Sequence, residues 1–316
     1  MTKDKQIQYD YKVCAVLFGT DESILNICLK DGFSFVKRSL RPKDHLDQVF
    51  DISDIGLRRA YETARLDNST LDVICIEKST SILMASKDAS GYYDNQVDRD
   101  LVLLDNQIRA IRLIKECALR CTMVSFKMRA EDGDYGPIEF NSMIPISESL
   151  GSPEISKFHC DHSEVQALNS LVNQINFPLI NDVFNVAHRF YDRSYLEDNY
   201  IALVLLITSL EMLFLSKQDE KKVPLAKRCA VYMDSNRIDQ VNCYNRLINA
   251  YKQRSDFVHD GVFNGIDDQT IIFLRSCVRK VLLSIDPATY NKPQFIQSLK
   301  ARVDILNSSD PGYWTL

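Results

Sequence analysis

Residues 251–261 read Tyr251-Lys252-Gln253-Arg254-Ser255-Asp256-Phe257-Val258-His259-Asp260-Gly261. The segment places an arginine, four residues and a histidine at the end of a helical stretch. Arginine is a permanent cation whose planar fork donates bidentately to phosphate. Imidazole titrates near neutral pH and so can take up and return a proton. The pair suits cleavage of an RNA phosphodiester without a metal. RNA brings its own nucleophile, the 2′-hydroxyl. A base must take that proton, an acid must protonate the leaving 5′-oxygen, and a cation must steady the crowded phosphorane. Arg254 is the candidate cation and His259 the candidate proton carrier. The structural alternative is that Arg254 pairs with Asp256, Asp260 or Glu211 while His259 caps the last carbonyls of its helix.

Positions five apart on one continuous helix lie about 140° apart, so Arg254 and His259 do not share a face. Either the helix ends near Phe257 and His259 folds back, with Asp260-Gly261 as the break, or the two face different neighbours. Around them, Ser255 is placed to bond phosphate or orient His259, and Asp256 to set the imidazole tautomer or carry surface charge. Tyr251, one turn before Arg254, is expected to pack under the motif, with base stacking as its functional alternative. Lys227, Arg246 and Lys252 give the basic character nearest in sequence and are weak candidates for the RNA backbone.

The elements that must position these residues precede them. An apolar helix over Tyr200–Leu215 contains Ser209-Leu210-Glu211-Met212-Leu213-Phe214, followed by Leu225-Ala226-Lys227-Arg228-Cys229-Ala230. Glu211 in that apolar setting needs a partner, and Arg228 is the expected one, as an internal ion pair. These blocks and the Arg-x4-His segment, in this order, resemble the HEPN superfamily and within it the ApeA-like branch, over residues 165 to 308. The resemblance implies an all-α domain, a homodimer in which two Arg/His segments meet in one cleft, and metal-independent endoribonuclease activity with no cofactor. It further implies an effector or toxin of bacterial anti-phage defence acting by abortive infection. Two other readings remain open: a non-catalytic HEPN dimerisation or binding module, and the toxin of a HEPN/nucleotidyltransferase toxin–antitoxin pair with Tyr251 as the modified residue.

The 316 residues are 45% hydrophobic and 26% charged, enough for two cores. The net charge of −5 argues against a protein coated for non-specific nucleic-acid binding. Residues 165–316 hold 17 Lys+Arg against 16 Asp+Glu, and residues 1–164 hold 21 against 27. An RNA site therefore needs a local basic patch. Nine cysteines without CxxC spacing, and a polar start, point to reduced thiols in a cytoplasmic protein. The apolar run Ile201–Leu215 is too short and too polar to span a bilayer.

The fold class expected is α+β. An N-terminal mixed domain with a mostly antiparallel sheet (1–150) would sense a trigger, a partner protein or a phage component. A linker (151–162) and an all-α HEPN-like helical bundle (163–316) follow. In the first half, strands are predicted at 13–18, 24–29, 33–38, 71–76, 81–85, 122–128 and 139–144, with helices at 46–66 and 98–120. In the second half, helices are predicted at about 163–175, 178–193, 197–217, 222–234, 237–257, 267–286 and 292–306, with Pro178 and Pro224 in first turns. His159-Cys160-Asp161-His162 lacks a second ligand pair for zinc and reads as polar linker. Cys117 and Cys121 read as buried thiols, and Glu131-Asp132-Gly133-Asp134 as a hairpin turn. No metal is assigned. GxxxxGK[ST], GxGxxG, HExxH and GxSxG are absent, so nucleotide-driven and serine-hydrolase chemistry have no motif support.

Overall fold

Alternation of apolar and polar residues over Gln6–Phe18 builds the central strand of an antiparallel sheet. A computed structural model of the chain describes residues 5–40, 71–117, 119–132, 136–145, 157–179, 181–262 and 265–315. The protein is α+β, with an antiparallel sheet in its N-terminal part and a set of helices in its C-terminal part. The strands are β1 (Gln6–Phe18), β2 (Ser34–Leu40), β3 (Leu71–Ala85), β4 (Arg120–Asp132) and β5 (Gly136–Pro145). Their order is β2-β3-β1-β4-β5, and every pairing is antiparallel. The predicted helix at 46–66 lies outside the described residues.

One face of β1 (Tyr9, Tyr11, Val13, Ala15) and of β4 (Val124, Phe126, Met128) is buried with α1 (Ala89–Ile114), through Leu104, Ile108 and Ile111. The Tyr93 hydroxyl donates to the Phe126 carbonyl at 3.1 Å, tying the helix to the sheet. Asp100 of α1 is fully buried and accepts from Lys78 Nζ of β3 at 2.7 Å and from Gln96 Nε2 at 3.0 Å. A carboxylate out of water is tolerated here because both oxygens have donors.

Three expectations are corrected. The predicted strand at 24–29 is a 3-10 turn over Glu22–Asn26, because Asp21 caps it by accepting from the Ser23 amide at 2.8 Å. The predicted strands at 71–76 and 81–85 are one strand. The polar interruption Glu77-Lys78-Ser79-Thr80 stays in the ladder because β1 pairs with it throughout, from Gln6↔Ala85 to Leu17↔Ile74. The helix placed at 98–120 begins at Ala89 and ends at Ile114, so Cys117 and Cys121 lie beyond it, both buried.

The expected linker and the helix after it also shift. Residues 157–175 pack with the N-terminal unit, and the described residues from Asn176 onward form the second compact unit. Phe158 bridges Thr20 and is buried. His159 Nδ1 lies 2.7 Å from Asp21 Oδ2, and the Cys160 amide donates to Ser23 Oγ at 2.9 Å. Helix α2 (Val165–Gln174) buries Leu168 and Val172 in the same core, and Asn169 exchanges hydrogen bonds with Cys28 and Asn26. Polar composition suggested a linker, but those polar groups each bond the turn after β1.

The second unit contains α3 (Asp182–Arg193), α4 (Asn199–Phe214), α5 (Lys222–Met233), α6 (Arg237–Asp260), α7 (Asp268–Ser284) and α8 (Lys292–Ser309). Asn181, Asp198, Asn236, Asp267 and Asn291 cap five of them through their side chains, satisfying amides that have no partner within the helix. Pro178 precedes the Asn181 cap instead of entering α3, whereas Pro224 lies in the first turn of α5. No helix of the described residues is long and apolar enough to cross a membrane.

Asp100→Ala strips the partner from a half-buried Lys78 and is expected to destabilise the protein by about 3 kcal/mol, read as a lower urea midpoint. An unchanged midpoint would show that Lys78 is solvated without it.

Candidate functional site

Helix α6 carries the whole Arg-x4-His segment. It runs unbroken to Asp260 and closes on Gly261, whose φ of 63° is the left-handed conformation that glycine adopts without a Cβ clash. The Gly261 amide donates to the Asp256 carbonyl, and the Val262 amide donates to the same oxygen at 3.2 Å. The early helix end near Phe257 is therefore not formed, and His259 does not fold back. Arg254 and His259 stand about 140° apart around α6. Ser255, about 40° from His259, and Lys252, about 20° from it, both lie on the His259 side.

The rotation of α6 is set by its packing on α4. Leu247, Ala250 and Tyr251 are buried, and the Phe257 ring meets the Tyr200 ring at 5.3 Å. The Tyr251 hydroxyl donates to Glu211 Oε1 at 2.8 Å. Burial, then the bond to the Glu211 carboxylate, pushes the Tyr251 phenol up to about 12. Arg254 sits beside this pair, its guanidinium carbon 5.9 Å from the Tyr251 ring centre, and its buried Nε has no hydrogen-bond partner among the described residues. His259 is exposed in the last turn, next to Val258 and Val262, which are 46% and 42% exposed. Those two apolar side chains carry no sequence signal beyond their position, and only the fold shows that they stay uncovered.

The expected Glu211–Arg228 ion pair is corrected on both sides. Glu211 is half-buried and bonds Tyr251. Arg228, buried on α5, donates to Asp219 through both terminal nitrogens, at 2.6 and 2.9 Å, and to the Phe214 carbonyl at 3.0 Å. Asp219 lies in the connection between α4 and α5, nine residues before Arg228. A search for a partner inside the helices passes over it. The Arg228 guanidinium holds the Asp219 carboxyl well below the usual carboxylate range, and donors from Ser216 add to this.

The three weak phosphate-binding candidates separate. Lys227 donates to Asn307 at 3.1 Å and lies 5.4 Å from the Trp314 ring, so it ties α5 to the C-terminal residues. Burial lowers its pKa. Arg246 stacks over Phe273 at 3.9 Å and donates to the Gln269 carbonyl at 3.1 Å, joining α6 to α7. Lys252 is exposed on α6. The structure thus brings Tyr251, Arg254 and Glu211 together and leaves His259, Ser255 and Lys252 on a second face. Comparison with known proteins finds no matching family model, no matching curated protein and no matching solved structure.

Arg228→Ala is expected to cost about 3 kcal/mol and Glu211→Gln about 1 kcal/mol or less, both from chemical denaturation. Equal costs would return the ion pair to Glu211. Because the folded Asp219 pKa is depressed, its contribution is present above the ordinary carboxylate value, about 3.9, and is lost as pH falls through the folded value. The stability advantage of the wild type over Asp219→Asn should therefore shrink in acid below about pH 4.

Proposed function

We propose that the protein is a metal-independent, HEPN-type endoribonuclease acting as a homodimer, with Arg254 and His259 as its catalytic residues. The observation that carries this reading is the state of Arg254: its Nε is buried without a hydrogen-bond partner among the described residues, beside the Tyr251 ring, on the helix whose last turn exposes His259. A buried donor left unmade costs stability, so a ligand that fills it is favoured. Since one α6 holds the two side chains on different faces, the composite arrangement of two chains is the one that brings a guanidinium and two imidazoles to one phosphate. Val258 and Val262 supply apolar surface for such a meeting.

In the composite site, one His259 takes the proton of the 2′-hydroxyl. The 2′-oxygen attacks phosphorus, the 5′-oxygen leaves, and the protonated His259 of the second copy supplies its proton. Arg254 neutralises the non-bridging oxygens as charge builds. The products are a 2′,3′-cyclic phosphate and a free 5′-hydroxyl. Ser255, on the His259 side of α6, is placed to bond the phosphate, and Lys252 to contact the backbone. The biological role follows the resemblance: a cytoplasmic effector of anti-phage abortive infection, with the sheet-containing unit recognising a trigger. A second reading, a dimerisation module without catalysis, draws on the same exposed valines. The toxin–antitoxin reading with Tyr251 as target is disfavoured, because that side chain is largely buried and its hydroxyl is donated to Glu211.

Wild-type protein incubated with total cellular RNA in EDTA should release fragments ending in 2′,3′-cyclic phosphate. Arg254→Ala and His259→Ala, folded by circular dichroism, should each lose at least 100-fold in rate, about the contribution of one general acid–base or electrostatic group. Heterodimers of wild type and His259→Ala should be similarly impaired. Full activity in them would sink the shared site. Cleavage by both single variants at the wild-type rate would remove Arg254 and His259 from the site, and no cleavage by folded wild type would favour the dimerisation module.

A further inference from the structure

Three cysteines that lie far apart in the sequence meet inside the helical unit. Cys229 on α5, Cys243 on α6 and Cys277 on α7 are buried, and their three Sγ atoms all lie within 4.8 Å of one another. Among the described residues this is the one group of three or more His, Cys, Asp or Glu side chains with such convergence. Their separations, 14 and 34 residues, match no metal-binding spacing. We propose that Cys229, Cys243 and Cys277 form a three-thiolate site for a single thiophilic d10 cation, Zn(II) or Cu(I), that clamps α5, α6 and α7 together.

The dimensions fit. In a trigonal site with metal–sulfur bonds of about 2.3 Å, sulfurs stand about 4 Å apart. A triangle with the upper limit of 4.8 Å on each side has its centre about 2.8 Å from each sulfur. Closing it therefore needs a shift of about 0.5 Å per sulfur toward that bond length, within reach of a small χ1 adjustment. The ligand type selects the metal class, since soft thiolates favour Cu(I) and Zn over magnesium or calcium. Each thiol gives up its proton on binding, so loading the site releases up to three protons.

The charges of Arg246 and Lys280 act on Cys243, and the two cations would offset the negative charge of a metal–trithiolate. The ring of Phe273, on the same helix as Cys277, holds the Arg246 guanidinium in place. The clamp lies on α6, the helix that ends in Arg254 and His259, but is built from residues that take no part in the proposed cleavage. Its presence or absence is independent of that reading.

The test uses the full chain, stripped with chelator and kept reduced and anaerobic, then titrated separately with Zn(II) and with Cu(I). The expected result is one ion per chain by native mass spectrometry, with a thiolate-to-metal charge-transfer band when Cd(II) replaces Zn(II). At a free concentration 100 times Kd, the folding equilibrium should move about 100-fold toward the folded state. Cys243→Ala and Cys277→Ala should each abolish the ion and the band, while Cys28→Ser, which alters an exposed thiol, should leave both intact. To guard against variants that fail to fold, carbamidomethylation of the wild type in sub-denaturing urea, where the buried thiols are transiently opened, is run with and without metal. Protection of Cys229, Cys243 and Cys277 on loading supports the site. The proposal is overturned if neither cation binds stoichiometrically to the folded wild type, or if binding survives in folded Cys243→Ala and Cys277→Ala.

Discussion

Helix α4 is apolar around nearly its whole circumference, with Ala202, Leu203, Leu206, Ile207, Leu210, Leu213 and Phe214 buried. A helix of that kind needs other elements over most of its surface. Helices α3, α5, α6 and α7 pack on it, and Ile201 stays exposed. Much of the second unit follows from that requirement. Two polar groups of α4 are met by neighbouring helices. Ser209 donates to the Ala187 carbonyl on α3, and Glu211 accepts from Tyr251 on α6. At its C-terminal end the Phe214 carbonyl, one of those a helix leaves unpaired, accepts from Arg228 on α5.

The same contacts decide what the Arg-x4-His segment can do. Tyr251 and Phe257 both face α4, through Glu211 and Tyr200, and this sets the rotation of α6 about its axis. Arg254 is then held next to the buried tyrosine, and His259 is turned toward solvent. Continuous hydrogen bonding up to the Gly261 cap removes the freedom for His259 to swing back. Any chemistry that needs both groups at one atom therefore needs a second surface. The reading of the protein as a dimeric ribonuclease draws its support from that geometry together with the order of the motif blocks.

In the sheet-containing unit the organising polar feature is Asp100, buried between α1 and β3 and satisfied by Lys78 and Gln96. The segment 157–175 is fastened by a different means, a set of short side-chain bonds to the turn after β1. His159 belongs to this set. The Asp21 carboxylate raises its pKa, so their ionic contact is complete below the ordinary imidazole value and fades as pH rises through the folded one. A pH-sensitive latch of this kind holds residues that composition alone marks as linker.

Local chemistry was readable without the fold. Pro224 marked the first turn of α5, Gly261 marked the break after α6, and the helices expected at 197–217 and 267–286 lie close to α4 and α7, because such signals act over one or two turns. The sheet's antiparallel character also followed from short alternating runs. What sequence could not supply were outcomes settled between distant residues. Residues 24–29 are apolar enough for a strand, but the Asp21 cap bends them. Arg228 had Glu211 in the next helix as its evident partner, yet Asp219 sits closer once the connection folds. Cys229, Cys243 and Cys277 share no spacing, and only the packing of three helices brings their sulfurs together. Partner choice depends on distance in space, and distance in space is set by how whole helices cover α4.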